Sequence, residues 1–187
     1  MTAMNKKIFP ILIVVATLMA ALLPACQSSV DSSEEWRRRN EKAFADYESK
    51  SDYQKVTTDG SMPYVFMKTK TKGTGTEHPI STSRVIIHYA MYLLVSTSST
   101  GTAPLDGNFD QEQGLRLSLN RGEKQRAIAG MQIALQNMVV GDHTEVIIPW
   151  YLAYGAKSSP SQTSTIPAYS ALRYEIRLDS IVPESAE

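Results

Sequence analysis

Toward the C-terminus, Leu172, Tyr174, Ile176 and Leu178 alternate with Arg173, Glu175, Arg177 and Asp179. A period of two sends successive side chains to opposite faces of a strand, so this segment predicts a β-strand with one face on a core and the other toward water. One strand is not a fold. It needs paired neighbours and a cover for its apolar face, and the residues upstream supply both.

Residues 64–67 (YVFM) predict a short strand and 70–76 (KTKGTGT) a turn. The run 85–95 (VIIHYAMYLLV) is too long and apolar for a half-wet strand, so it predicts a central strand covered on both faces over much of its length. Residues 96–107 (STSSTGTAPLDG) have no apolar period and predict a loop. Leu115, Leu117 and Leu119 then alternate with Arg116, Ser118 and Asn120. Ile128, Met131, Leu135 and Met138 recur at helical spacing, and Gly141-Asp142 ends that helix. Val146 and Ile148 belong to a strand stopped by Pro149, and 157–165 (KSSPSQTST) predict a second loop. About five antiparallel strands with one amphipathic helix across the apolar face make an α+β domain.

The N-terminal part has another character. Lys6 and Lys7 precede an apolar run, 8–23, that ends in Leu23-Pro24-Ala25-Cys26 and carries the chain's only cysteine. A positive start, an apolar stretch and a small residue before a cut describe a secretory signal peptide. The run contains Pro10 and falls short of the ~20 residues that span a bilayer comfortably. Leucine three before and alanine one before the cysteine resemble the lipobox of bacterial lipoproteins, in which the Cys26 thiol would be lipidated. Each buried lipid CH₂ contributes ~0.8 kcal/mol, so such an anchor holds a soluble domain at a membrane.

Residues 27–33 read as a polar tether. Ser32-x-x-Glu35 has capping-box spacing, and Trp36, Asn40, Phe44 and Tyr47 fall mostly on one stripe, predicting a helix over 34–49. Its aromatics dock on the domain or on a second copy, unless the segment is a partly ordered charged spacer. The resulting division is a signal peptide over 1–25, a lipidated tether and short helix over 26–62, a domain over 63–183 and a tail over 184–187. The expected location is the cell envelope, lipid-anchored to a membrane on the outer-membrane or periplasmic side.

Lysine plus arginine equals aspartate plus glutamate at 19 each, so no whole-chain field gathers nucleic acid. The three histidines, His78, His88 and His143, have no metal-ligand spacing, and no second cysteine completes a site. G-x-S-x-G and phosphate-cradling glycine motifs are missing. His88, inside the apolar run, predicts a hydrogen-bonded structural histidine. Neither a metal nor a cofactor is expected.

Several short motifs follow in a telling order: Ile87-His88-Tyr89-Ala90, Asn108-Phe109-Asp110, Ala129-Gly130-Met131 through Gly141-Asp142, Ile148-Pro149 with Leu152-Ala153-Tyr154-Gly155, Ile166-Pro167, and the alternating last strand. In sequence and spacing this resembles the FKBP family of peptidyl-prolyl cis/trans isomerases over roughly 63–183. The resemblance implies a bent antiparallel sheet wrapped around one short α-helix. It also implies catalysis at X–Pro bonds of exported proteins, assisting their folding, with no cofactor. Carried over by position, Tyr89, Asp110 and Tyr154 would be the catalytic residues. Phe109, Leu115, Ala127, Ile128, Met131, Ile166 and Tyr174 would bind substrate. Met131 would form the floor, with Phe109, Tyr154 and Tyr174 as sides. The Ile128 N–H and the Tyr154 hydroxyl would hold substrate carbonyls.

The partners so implied are proline-containing polypeptides or unfolded exported proteins, and macrolide inhibitors of the FKBP class. Three departures point to weak activity. Met131 stands where tryptophan is usual, Tyr174 where phenylalanine is usual and Met91 where glycine is common, beside a stretch to Gly107 that is longer than usual. A non-catalytic FKBP-like chaperone or binding module on a membrane anchor is the rival reading. A surface adhesin or assembly subunit on a β scaffold is a third.

Overall fold

The computed structural model describes residues 27–58, 60, 62–96, 103–120 and 122–183. The signal segment, Cys26 and part of the 96–107 loop lie outside the described residues. The chain divides into two compact units, Met1–Trp36 and Arg37–Glu187. Helix α1, Gln27–Ala45, starts in the first and ends in the second, then passes into a 3-10 turn over Asp46–Ser49. It starts ahead of the expected 34, and the expected last turn is the 3-10 segment. Among the described residues, no helix is long and apolar enough to cross a membrane.

The second unit is built on one antiparallel sheet. Its strands are β1 (Gln54–Val56), β2 (Val65–Thr71), β3 (Arg84–Leu93), β4 (Asp106–Gly107), β5 (Leu115–Ser118), β6 (His143–Ile148) and β9 (Leu172–Val182). Their order is β1-β2-β6-β9-β3-β4, with β5 beside β4 on the same edge of β3. A separate hairpin pairs β7 (Ser159–Pro160) with β8 (Thr165–Ile166). The five strands expected from periodicity are β2, β3, β5, β6 and β9. Strand β1 falls in the stretch assigned to the tether, β4 in the first expected loop, and β7 with the start of β8 in the second. Strands β1 and β4 owe their pairing to a neighbouring edge and β7 and β8 to each other, not to an apolar period of their own.

Helix α2, Ala129–Leu135, covers the inner face. All residues from Gly130 to Leu135 are buried, and Met138 just beyond is also buried. Gly130 permits the close approach: a Cβ there would sit 2.3 Å from Ile148 Cγ2. Gly141 (φ 92°) turns the chain out of the helix. The Asp142 carboxylate then holds the turn, accepting from the Val139 N–H at 2.9 Å and the Gly73 N–H at 2.7 Å. Val85, Ile87, Met91, Val146, Ile148, Leu172, Tyr174, Ile176 and Leu178 meet α2 in one core.

The outer face is not simply wet. Phe44 of α1 packs on Phe66 and Ile147, paired residues of β2 and β6, with ring centroids 5.0 Å apart for Phe44 and Phe66. Asn40, fully buried, accepts the Ala171 N–H at 2.9 Å. Residues 37–47 therefore dock on the sheet that follows, and the compact unit begins at Arg37, ahead of the expected boundary at 63. Farther along this face Lys70 and Arg173 bridge Glu145 and Glu175, and Tyr53 donates to Glu145. Lys70 and Arg173 outweigh the burial of Glu175 and hold its carboxyl below the usual range; burial, reinforced by Glu145, raises the Tyr53 phenol.

Candidate functional site

Ala127, Met131, Ile166 and Tyr174 are buried in the core cluster, and half-buried Tyr89, Leu115, Ile128 and Tyr154 pack against it. Each arrives by a local device. The 125–127 segment is tied to β5 by Ser118 N–H to Gln125 O (3.0 Å) and Ala127 N–H to Ser118 O (3.0 Å), which sets it beside Ser118. The buried Gln132 side chain returns to the Ala127 carbonyl at 2.8 Å, fixing the lead into α2. Ile128 is the extended N-cap residue of that helix (φ −61°, ψ 156°). Tyr154 follows a 3-10 turn, Trp150–Leu152, and the turn is closed by Gly155 N–H to Trp150 O at 2.9 Å with Gly155 at φ 74°.

The hydroxyls converge at the polar end. Tyr89 and Tyr174 have ring centroids 6.0 Å apart. The Tyr89 hydroxyl donates to Asp106 Oδ1 at 3.0 Å, and the Tyr174 hydroxyl donates to Met91 Sδ at 3.0 Å. Burial holds the Tyr174 phenol well above its ordinary range, and the Tyr154 hydroxyl beside it adds to the shift. Tyr89 is raised by burial and then by the Asp106 charge. These phenols stay protonated donors at neutral pH in a dry setting.

Two residues assigned from sequence are elsewhere. Phe109 lies on the outer face, its ring 5.5 Å from His143 and 5.9 Å from the Arg177 guanidinium, and Asp110 is exposed. Their expected places are taken by Leu105, which packs against the core cluster, and Asp106, which meets Tyr89. The register of β4 explains the change. Asp106 lies opposite Met91 and Gly107 opposite Ala90. Asn108 then spends its side chain on β3, accepting the Tyr89 N–H (2.8 Å) and donating to Ile87 O (3.2 Å). The next residue, Phe109, is carried over the edge. A signal was present: Leu105 is the one large apolar side chain in 96–107, with an acid beside it.

Leu105 is held from both sides. Its N–H donates to Met91 O (2.7 Å), and its carbonyl accepts from Thr163 N–H (3.2 Å) and Thr163 Oγ1 (3.0 Å) at the tip of the β7–β8 hairpin. Beyond this bridge lies a cleft of about 470 Å³ that includes Phe109, Asp110, Tyr92 and Glu175 and shares Tyr89 and Asp106 with the apolar cluster. His88 is buried within the sheet, Nδ1 2.6 Å from Asp179 Oδ2 and Nε2 3.0 Å from the Gln111 carbonyl, a contact only an N–H can make there. Among the described residues no three His, Cys, Asp or Glu side chains converge as metal ligands.

A sheet wrapped around one helix, with phenols and one carboxylate at the edge of a buried apolar cluster, defines a small α+β domain of the FKBP type. The chain belongs to the FKBP-type peptidyl-prolyl cis-trans isomerase family, whose model matches residues 75–179. It is 33% identical over 109 residues to the mouse (Mus musculus) peptidyl-prolyl cis-trans isomerase FKBP4, covering 58% of this chain and 21% of the relative. It is 36% identical over 66 residues to bovine (Bos taurus) FKBP11, covering 35% of this chain and 30% of that one. The chain thus spans about a fifth of the length of the FKBP4 relatives it matches. Among solved structures it is similar to a peptidyl-prolyl cis-trans isomerase from Pseudomonas syringae, with TM-score 0.61, 25% identity and coverage of 81% of this chain and 96% of that one. FkpA from Escherichia coli, at 17% identity, TM-score 0.64 and coverage of 97% and 75%, shares the fold.

Proposed function

We propose that this chain catalyses cis/trans isomerisation of X–Pro bonds by seating the prolyl ring on Met131 among Tyr89, Leu105, Ile128, Tyr154 and Tyr174. The observation that carries the reading is the Tyr89–Asp106 pair beside a buried apolar cluster, within a chain of this family. Rotation about an X–Pro bond faces a barrier of ~20 kcal/mol because it breaks amide resonance. The twisted amide is less dipolar than the planar one, so a dry apolar site fits it better and lowers the barrier by differential binding. No bond is made or broken at a side chain. The Ile128 N–H and the Tyr154 hydroxyl hold the flanking carbonyls, and Tyr89 with Asp106 orients the polar end.

The clients are proline-containing stretches of exported proteins, and macrolide inhibitors of the FKBP class compete for the same surface. Export and anchoring through Cys26 at the cell envelope, toward the outer-membrane or periplasmic side, rest on Lys6, Lys7, the apolar run and Leu23-Pro24-Ala25-Cys26. The division into a signal over 1–25, a tether and a following domain rests on the same residues. Radiolabelled fatty acid incorporated by the wild-type chain and not by Cys26→Ser tests the anchor.

The soft floor, Met131 with Met91 and Leu105 around it, supports a second reading: a binding module or chaperone without turnover. A protease-coupled assay of a proline tetrapeptide on the purified full chain separates the two. Acceleration over buffer supports the enzyme. Suppressed aggregation of a proline-free client with no acceleration favours the chaperone.

A further inference from the structure

We propose that the cleft beyond Asp106 is a second substrate subsite, which takes a lysine or arginine side chain flanking the bound proline. The inference rests on the isomerase reading and adds a preference that the apolar floor cannot supply. The cleft, about 470 Å³, shares Tyr89 and Asp106 with the prolyl cluster and reaches over the sheet edge to Tyr92 and Glu175. An extended chain advances about 3.3–3.6 Å per residue, so a polypeptide whose proline lies on Met131 brings a neighbouring side chain to this edge.

The charges select the ligand. Every ionised side chain lining the cleft is acidic: Asp106, Asp110 and Glu175. Glu175 is already balanced by Lys70 at 2.9 Å and Arg173 at 3.0 Å. Arg177, near Phe109, is engaged by Asp179 at 2.8 Å. The segment 103–114 carries Asp106, Asp110 and Glu112 with no lysine or arginine, so these acids are left in excess around the opening. Asp106 takes its hydrogen bond from a phenol, which leaves its charge unneutralised. Arg173 covers the Tyr92 ring at 3.9 Å and Arg177 lies 5.9 Å from that of Phe109, so an incoming cation is left the Asp106 and Asp110 carboxylates at the opening.

The test uses the purified full chain and proline peptides carrying lysine, alanine or glutamate at each of the two positions on either side of the proline. At low salt, kcat/KM for the lysine peptide should exceed that for the glutamate peptide by about five-fold at one of these positions, the size expected of partly exposed ion pairs. The ratio should fall to about one in ~1 M salt, where the Debye length is ~3 Å. It should also fall in Asp110→Asn, and below one in Asp110→Lys. Because the ratio is internal to each variant, lost fold or lost turnover cannot imitate the effect. Equal acceleration of all three peptides overturns the subsite and leaves the isomerase reading standing. No acceleration of any peptide overturns both.

Discussion

The Tyr174 hydroxyl donates to the sulfur of Met91 across 3.0 Å, from directly paired positions on β9 and β3. Each departs from its family pattern, and together they explain one another. A buried phenol needs partners, and Met91 supplies one beside the Tyr154 hydroxyl.

This pairing predicts unequal costs. Tyr174→Phe should change stability by less than ~1 kcal/mol, since a thioether is a weak acceptor that tolerates losing its donor. Met91→Ala should cost ~2–4 kcal/mol, from the cavity it opens and the loss of one of the phenol's two partners. In the Tyr174→Phe background the Met91→Ala cost should shrink by ~1 kcal/mol, read from urea midpoints. Identical costs in the two backgrounds would show the residues to be uncoupled.

Asp106, not Asp110, should be the carboxylate that matters for an uncharged substrate. Asp106→Ala frees the Tyr89 phenol from its acceptor and should lower kcat/KM for an alanine-proline peptide by about ten-fold, ~1.4 kcal/mol of transition-state stabilisation. The loss in Asp110→Ala should be smaller on the same peptide. The reverse ranking in steady-state assays would return the polar end of the site to Phe109-Asp110.

Raised phenols give a one-sided pH profile. Folding holds the protons of Tyr174, Tyr89 and Tyr53, all shifted upward first by burial, whereas the unfolded chain loses them near ~10. The unfolded state therefore binds fewer protons above that pH, and stability falls as pH rises through it; below ~10 these groups contribute no slope. Tyr174, fully buried, should supply about 1.4 kcal/mol per pH unit at most, with smaller additions from the more exposed pair. Urea midpoints between pH 8 and 11, set beside ultraviolet phenolate absorbance, check this. A flat profile with phenolate appearing near the ordinary range would refute it.

Helix α1 should stabilise the sheet rather than merely precede it. Phe44→Ala removes a ring packed on Phe66 and Ile147 and should cost ~2–4 kcal/mol. Asn40→Ala should cost ~1–3 kcal/mol, because the Ala171 N–H at the entry to β9 loses its buried acceptor. Chemical denaturation measures both, and changes within ~0.5 kcal/mol would make the helix a passive spacer.

Elements that announce themselves by side-chain period were legible in the chain: β2, β3, β5, β6, β9 and the helix through Met131. Tyr89, Leu115, Ala127, Ile128, Met131, Tyr154, Ile166 and Tyr174 were named through the family resemblance; they belong to or pack against one core cluster, although Ile166 lies on β8, which has no period of its own. Strands β1, β4, β7 and β8 were not legible, because two or three residues hold no period; β1 and β4 pair with an existing sheet edge, and β7 with β8 in a hairpin of their own. Docking of 37–47 was one of several open readings, and the partner that decided it, the Phe66–Ile147 pair, lies on strands distant in sequence.

By itself the order of residues determined an α+β domain, since alternation and helical spacing act within a few neighbours, and its ordered short motifs carried the resemblance to the family. Which aspartate faces Tyr89 was settled only in three dimensions. Phe109-Asp110 offered the right residue types, but the pairing of Asp106 with Met91 and the use of Asn108 as a substitute backbone set the turn, and a shift of a few residues at a sheet edge changes the face a side chain meets.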